Sequence, residues 1–220
     1  MVRETLAADE FHEKTTRPNQ LWQTDFTYLK VIGWDWFYLS TILDDYSRAR
    51  HCPRANGVQR LVIAWRLCTT MRTSDVTATL EDALAASGCG RATVAHRPRL
   101  LSDNGASYIS GDLAAWLEGQ GMDHVRGAPN HPQTQGKIER WHQTLKNRIL
   151  LENYHLPGAL EEAVATFIEN YNHHRYHESL GNLTPADVYL GRADTILTRR
   201  KEIKDKTIRQ RRLLHSQTAA

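Results

Sequence analysis

Three acidic residues stand where local structure gives them little to do. Asp25 lies inside the strand-like stretch WQTDFTY, although aspartate is disfavoured in strand interiors. Asp103 follows the apolar pair Leu100-Leu101, and Glu139 lies in the first turns of a long helical pattern. Brought together, three carboxylates would repel one another and favour protonation. A divalent cation with oxygen ligands removes that penalty, so the three residues together suggest a Mg²⁺ site.

Carboxylate-bound metal ions suit one chemistry in particular. Two ions about 3.5–4 Å apart can activate an attacking oxygen and stabilise the leaving oxygen of an in-line phosphoryl displacement. Simpler explanations exist for two of the three residues. Asp103 can form an Asx-turn with Gly105, and the helix dipole favours a carboxylate such as Glu139 near a helix N-terminus. Asp25 is the hardest to explain without a function.

The elements that must position these residues follow from hydrophobic periodicity. Ile138, Trp141, Leu145 and Ile149 are spaced to form one buried stripe on the helix that carries Glu139. The patterns predict strands over 21–31, 36–43, 61–67, 99–102 and 124–126, and helices over 74–87, 112–120, 135–152 and 158–173. Three early strands followed by strands that alternate with helices predict an α/β fold with a mixed sheet flanked by helices.

Composition is that of a globular chain. Its 220 residues are 40% hydrophobic and 24% charged, and no window approaches the roughly 20 apolar residues of a membrane span. The three cysteines are odd in number and widely spaced, which favours neither a disulfide framework nor a CxxC metal pair and predicts a reducing, cytoplasmic location. The net charge is +3, but residues 199–212 alone carry +6. We interpret this segment either as a solvated helix face or as a phosphate-contacting tail.

The spacing of the acidic residues points to one family of proteins. Thirty-five residues, 104–138, separate Asp103 from Glu139. In this spacing the chain resembles the retroviral-integrase superfamily of DDE recombinases. More narrowly, it resembles bacterial insertion-sequence transposases with an integrase-type catalytic core. The matching segments, in order, are WQTDFTY (22–28), LDDYSR (43–48), SDNGASYIS (102–110), HPQTQGKIERWHQTLK (131–146) and YNHHRYHESLGNLTPADVY (171–189).

The resemblance implies a fold, a site and a reaction. The fold is ribonuclease H-like, with a central mixed five-stranded sheet flanked by helices. Asp25, Asp103 and Glu139 form the catalytic metal-binding triad, which holds Mg²⁺, or Mn²⁺ in its place, with two ions expected when DNA is bound. The reaction is cleavage of phosphodiester bonds and strand transfer at element ends and target DNA, by a homo-oligomer on DNA. Residues 20–191 are expected to form this core, 1–19 a linker or the remnant of a missing N-terminal region, and 192–220 a basic helical tail.

Five further residues are candidates for DNA contact. Lys146 matches a basic position that the family keeps seven residues after the glutamate, and His142 shares its helix face. Lys137 and Arg140 flank Glu139, and Asn104 stands beside Asp103 next to a glycine that allows close backbone approach.

Other polar clusters are assigned no catalytic role. Asp44 and Asp45 are expected to form a turn or an ion pair with Arg48, outside the triad. The histidines at 173, 174 and 177 are expected to pack, cap a helix end or touch DNA, and no zinc is expected because no cysteine follows Cys89. The tryptophans at 22, 36, 116 and 141 are interpreted as core residues.

Two departures from the family pattern leave an alternative open. Residues 1–20 could not form the helix-turn-helix region that family members usually carry, and 49–60 read as an inserted loop. The alternative is therefore a truncated, catalytically silent remnant that binds DNA or associates with a transposase. A ribonuclease H or junction-resolving nuclease would share the metal chemistry, but it lacks support from the segments at 136–146 and 171–181.

Overall fold

The chain forms a mixed six-stranded sheet with helices on both faces. A computed structural model describes residues 5–6, 15–46, 60–91, 96–127 and 136–218. The strands are β1 (Thr5–Leu6), β2 (Leu21–Lys30), β3 (Trp36–Asp44), β4 (Val62–Cys68), β5 (Arg99–Ser102) and β6 (His124–Arg126). They lie in the order β1-β6-β5-β2-β3-β4. The pairs β2–β3 and β3–β4 are antiparallel, whereas β5 pairs in parallel with both β2 and β6.

Six α-helices accompany the sheet in the described ranges. They are α1 (Thr73–Ser87), α2 (Gly111–Gln120), α3 (Gly136–Ile149), α4 (Pro157–Glu169), α5 (Pro185–Tyr189) and α6 (Ala193–Thr218). Local sequence sets several ends. Ser110 caps α2 by accepting a hydrogen bond from the backbone of Leu113. Gly88 ends α1 with a left-handed φ of 72°, which glycine adopts without steric cost.

The predicted elements are present within a few residues of their predicted bounds. The mixed five-stranded sheet flanked by helices is confirmed, and the two-residue β1, which the sequence did not predict, adds to it by parallel pairing with β6. The helix predicted over 158–173 is α4 followed by a π-helical turn, Asn170–His174. The predicted loop insertion at 49–60 lies, apart from Arg60, outside the described residues.

Two hydrophobic clusters occupy the two faces of the sheet. The first joins Leu29 and Leu39 to α3 and α4, and it contains the whole predicted stripe of α3: Ile138, Trp141, Leu145 and Ile149. The second joins Trp22 and Ile42 to α1 and α2. Because successive residues of a strand point to opposite faces, this division fixes which side of β2 each side chain occupies.

One of the four tryptophans expected in the core, Trp36, lies at the surface. Of the tryptophans interpreted as core, Trp22 and Trp141 are buried and Trp116 packs at the cluster margin, but Trp36 is 44% exposed. It lies at the turn end of the β2–β3 hairpin, beyond the area of sheet that α1 and α2 cover. Aromatic residues are favoured in strands whether or not a helix covers them, so composition did not distinguish this position.

The C-terminal part packs on a smaller cluster. Leu180, Leu183, Val188 and Ala193 are buried there, with Leu197 against them. Beyond Arg200, α6 is almost entirely exposed and carries most of the basic segment 199–212. No helix within the described ranges is both long and apolar enough to cross a membrane.

Candidate active site

The sheet register brings Asp25 and Asp103 together. Strand β5 pairs in parallel with β2, with Arg99 opposite Leu21 and Leu101 opposite Gln23. Extended by two residues, the same register places Asp103 beside Asp25. Neither position was predictable from its own strand, because the sequence does not state which strands are neighbours.

Asp103 leaves the strand in a tight turn. Its Oδ1 accepts a hydrogen bond from the backbone N–H of Gly105 at 2.8 Å, the Asx-turn expected as the simple explanation. Partial removal from solvent raises the pKa of Asp103, the Gly105 N–H lowers it, and the negative charge of Asp25 raises it again. The turn therefore orients the carboxylate but does not neutralise the repulsion between the two aspartates.

The donor set of this pair fits a hard divalent cation. Two neighbouring carboxylates supply only oxygen atoms, the ligands that Mg²⁺ prefers. Removal from solvent is the main cause of the raised pKa of Asp103, and a cation would also relieve the smaller contribution that the charge of Asp25 makes to it. Within the described part of the chain, no three His, Cys, Asp or Glu side chains come close enough to hold one ion together. Glu139 therefore does not join the aspartates at ligand distance in this structure.

Helix α3 presents Glu139 from its first turn. The side chain is exposed, while the neighbouring Ile138 is fully buried in the core cluster and anchors the turn. One turn further on, the Nδ1 of His142 lies 3.5 Å from Oδ2 of Asp25. Because residues three apart lie on the same side of a helix, this contact places the Glu139 side of α3 against β2 at the aspartate.

His142, a candidate DNA contact from the sequence, is buried between α3 and β2 beside Asp25. Its side chain is only 7% exposed, and its ring lies 5.2 Å from that of Trp141. The imidazole of His142 is therefore a close neighbour of the Asp25 carboxylate. Periodicity alone did not show the burial of His142.

Lys137 also has an internal partner. Its Nζ lies 2.6 Å from Oδ1 of Asp45, which also accepts a hydrogen bond from Nε2 of Gln23 at 2.7 Å. The guanidinium of Arg60 lies 3.9 Å from the same oxygen. Asp45 is thus the centre of a buried network that ties the start of α3 to the end of β3. Arg48, the partner considered from the sequence, lies outside the described residues.

The other candidate DNA contacts differ in their surroundings. Arg140 is exposed on α3. Lys146 is partly buried, with its amine 4.0 Å from the centre of the Tyr28 ring. Asn104 donates from Nδ2 to the carbonyl of Gly127 at 2.9 Å, which links the Asp103 turn to the end of β6. The polar stretch 128–135, which precedes α3, lies outside the described residues.

One residue near the site, Tyr108, was missed from the sequence. Burial, and then the charges of Asp25 and Asp103, raise the pKa of Tyr108 well above its ordinary value, so this buried ring lies beside both aspartates. Its presence in the SDNGASYIS segment was the available signal. The sequence assigns Asp45 to a turn or an ion pair, and the structure pairs it with Lys137.

Of the three clustered histidines at 173, 174 and 177, one packs in the interior and two lie at the surface. His177 is buried, its ring lies 5.1 Å from that of Tyr171, and burial lowers its pKa to about 4. His173 and His174 are exposed and each lies 3.9 Å from a carboxylate oxygen of Glu169.

Comparisons of the sequence and of the fold with known proteins both find integrases and transposases. Two family models, both described as integrase core domain, match residues 15–56 and 120–185. The transposase for insertion sequence element IS629 of Shigella sonnei is 28% identical over 176 residues, which cover 78% of this chain and 52% of that protein. Transposase InsF for insertion sequence IS3A of Escherichia coli K12 is 27% identical over 186 residues, covering 84% and 58%. The chain thus spans somewhat more than half the length of these relatives.

Solved structures share the fold. The HTLV-2 integrase catalytic core domain in complex with magnesium superposes with a TM-score of 0.58 at 17% identity, covering 79% of this chain and 98% of that one. A chain of the simian T-cell lymphotropic virus intasome, in complex with a PP2A regulatory subunit, gives a TM-score of 0.64 at 20% identity, covering 80% and 56%. The ribonuclease H-like architecture predicted from the sequence is confirmed.

Proposed function

We propose that this chain, which carries an integrase core domain of the kind found in insertion-sequence transposases, cleaves and joins DNA strands by metal-dependent phosphoryl transfer. The observation that carries the proposal is the parallel pairing of β5 with β2, which ends two residues before Asp25 and Asp103 on the two strands, together with the charge interaction between these two aspartates. The contact of His142 with Asp25 brings the helix of Glu139 to the same place. The reaction would be that of a DDE transposase, acting on element ends and on target DNA.

Each acidic residue has a distinct part in the proposed site. Asp25 and Asp103 would bind Mg²⁺ or Mn²⁺ from the sheet edge, and Glu139 would complete the set from α3, with two ions held when DNA is bound. Such ions activate a water or a DNA 3′-hydroxyl and stabilise the leaving oxygen. The magnesium complex of the HTLV-2 core supports this choice of cation. His142 would hold Asp25 in orientation, and the Asx-turn would do the same for Asp103.

The positive charge on the described surface and the similarity to transposases both support DNA as the partner. The exposed basic stretch of α6 and the amine of Lys146 supply positive charge on the described surface, and Lys and Arg near phosphates add affinity by releasing counterions. The HTLV-2 core is described in dimeric and trimeric forms, which supports a homo-oligomer on DNA. We place the protein in the cytoplasm, at the nucleoid when acting.

Asp103→Asn tests the proposal directly. The amide keeps the shape and the turn but removes a charge from the cation site, so we expect strand transfer of element-end DNA in Mg²⁺ or Mn²⁺ to fall at least about 100-fold. DNA affinity measured without transfer should change little. Asp112→Asn, in the exposed first turn of α2, is the matched control and should transfer normally.

Two results would contradict the proposal. Undiminished transfer by Asp103→Asn would show that the carboxylate pair is not the catalytic centre. If the unsubstituted chain binds element-end DNA but transfers no strand in either metal, the alternative of a silent remnant holds instead.

A further inference from the structure

Two aromatic rings stand uncovered beside the proposed site. Tyr28 on β2 is 58% exposed and Trp36 on β3 is 44% exposed. Their ring centroids lie 5.3 Å apart at 84°, an edge-to-face pair. Large exposed rings side by side are unusual on a surface with no partner, because burying them would be favourable. We call this pair the aromatic platform.

Each ring of the platform carries a lysine amine. The Nζ of Lys146 lies 4.0 Å from the Tyr28 centroid, and that of Lys30 lies 5.7 Å from the Trp36 centroid. Both lysines retain solvent contact. An apolar protein partner would have to desolvate these charges, whereas a polyanion would be attracted to them.

The platform lies close to Asp25 along β2 but on the opposite face of the strand, because residues three apart in a strand point to opposite faces. Tyr28 follows Asp25 by three residues of extended strand, about 10 Å. Leu29 packs in the core cluster with α3, so Tyr28 points to the other face, and Lys146 of α3 must reach it across the edge of β2. Among the described residues, no strand pairs with that side of β2 beyond Gln23.

We propose that the aromatic platform stacks unpaired bases of the DNA strand next to the scissile phosphate, with Lys30 and Lys146 at the adjoining phosphates. The inference rests on the proposed function and specifies its substrate as DNA that is locally single-stranded at the site. Exposed aromatic rings flanked by cations are the arrangement that binds single strands with little sequence preference, because every base has a face that can stack.

Binding is measured separately from catalysis. The full chain carrying Asp103→Asn is titrated with a labelled oligothymidine of about 15 nucleotides and with a duplex of the same length. We expect Tyr28→Ala and Trp36→Ala each to weaken single-strand affinity about tenfold and duplex affinity less than about twofold. Tyr28→Phe should bind normally, and Tyr28→Leu, which keeps bulk on the sheet but no aromatic face, should lose as much as the alanine variant.

Tyr176→Ala is the matched control. Tyr176 is 62% exposed and carries Arg200 at 5.3 Å, so it has the same chemistry away from the carboxylates. We expect single-strand affinity to stay within about twofold of the parent. An equal loss in this variant would show that position does not matter and would overturn the inference.

The other outcomes separate the two proposals. If Asp103→Asn abolishes transfer while Tyr28→Ala and Trp36→Ala leave single-strand affinity unchanged, the platform is rejected and the proposed function stands. If Asp103→Asn transfers normally, the proposed function itself fails. If the platform variants change the sedimentation of the free protein but not its DNA affinity, the platform contacts a second copy of the chain, and the inference is overturned.

Discussion

The amine of Lys137 lies 2.6 Å from the carboxylate of Asp45, a contact between residues 92 positions apart in the chain. Asp45 is almost fully buried, at 6% side-chain exposure, and Lys137 is one-third exposed. Burial lowers the pKa of Lys137, and the charge of Asp45 raises it. The pair joins the start of α3 to the end of β3, and Glu139 stands two residues further along the helix.

We therefore expect Lys137→Met to lower the stability of the fold and not to remove a DNA contact. The variant removes the one lysine that pairs with Asp45 among the described residues and leaves its carboxylate with Gln23, Arg60 and Thr15. We therefore expect the free energy of unfolding to fall by about 2 kcal/mol and strand transfer to fall because Glu139 is less well held. Denaturant titration measures the first effect. Arg66→Met, which breaks the exposed pair with Asp82, is the control and should cost less than about 1 kcal/mol.

The same variant decides whether Lys137 contacts DNA. If Lys137 is internal, the slope of log affinity against log salt stays unchanged. A slope smaller by about 0.9 would assign Lys137 to a phosphate contact instead.

His142→Ala should lower strand transfer about 10- to 100-fold, the usual effect of removing a group that orients a metal ligand. The reason is the 3.5 Å contact of its Nδ1 with Asp25. DNA affinity at fixed salt should change little, because the ring is buried. Gln143→Ala, at the neighbouring exposed position, is the control. A loss of DNA affinity equal to the loss of transfer would make His142 a DNA contact, contrary to this prediction.

Gly105→Ala should disturb Asp103 specifically. A β-carbon at Gly105 would meet Oδ1 of Asp103 at 3.0 Å, so the carboxylate must move by a few tenths of an ångström. We expect strand transfer to fall about tenfold, with a change in unfolding free energy below about 1 kcal/mol. At Gly111 a β-carbon would meet nothing within 4 Å, and Gly111→Ala should transfer normally. Equal activity of the two variants would show that the Asx-turn tolerates the shift.

Asp44 should make stability depend on pH. Burial raises its pKa from 3.8 to about 6, although the N–H groups of Asn19 and Tyr46 lower it. Between these two values the folded state binds more protons than the unfolded state, so the free energy of unfolding falls as pH rises, by about 3 kcal/mol in all. Above about pH 6 this contribution no longer changes.

Urea titrations of wild type and Asp44→Asn at several pH values measure this effect. We expect the wild type to lose stability relative to the variant between about pH 4 and pH 6. Asp35→Asn, at an exposed position in the β2–β3 turn, should show no such difference. If the difference in unfolding free energy between wild type and Asp44→Asn does not change with pH, Asp44 is not the source of the pH dependence.

Periodicity predicted the elements because burial repeats locally. The stripe of Ile138, Trp141, Leu145 and Ile149 could be assigned to one helix face without knowing what covers it, and that face is the one in the core. The same reasoning failed for Trp36, because a strand pattern predicts alternation but not how far a covering helix extends. The burial of His142 was not predictable in this way, because it depends on the distance between α3 and β2.

The sequence alone determined the elements, the spacing of Asp103 and Glu139, and the family resemblance, since each of these is carried by residues read in order. Only the tertiary structure determined the partners. It pairs β5 with β2 so that Asp103 extends to Asp25, turns Lys137 inward to Asp45, and leaves Tyr28 and Trp36 uncovered. Those contacts join residues far apart in the chain, and local patterns carry no information about which distant element will supply the neighbour.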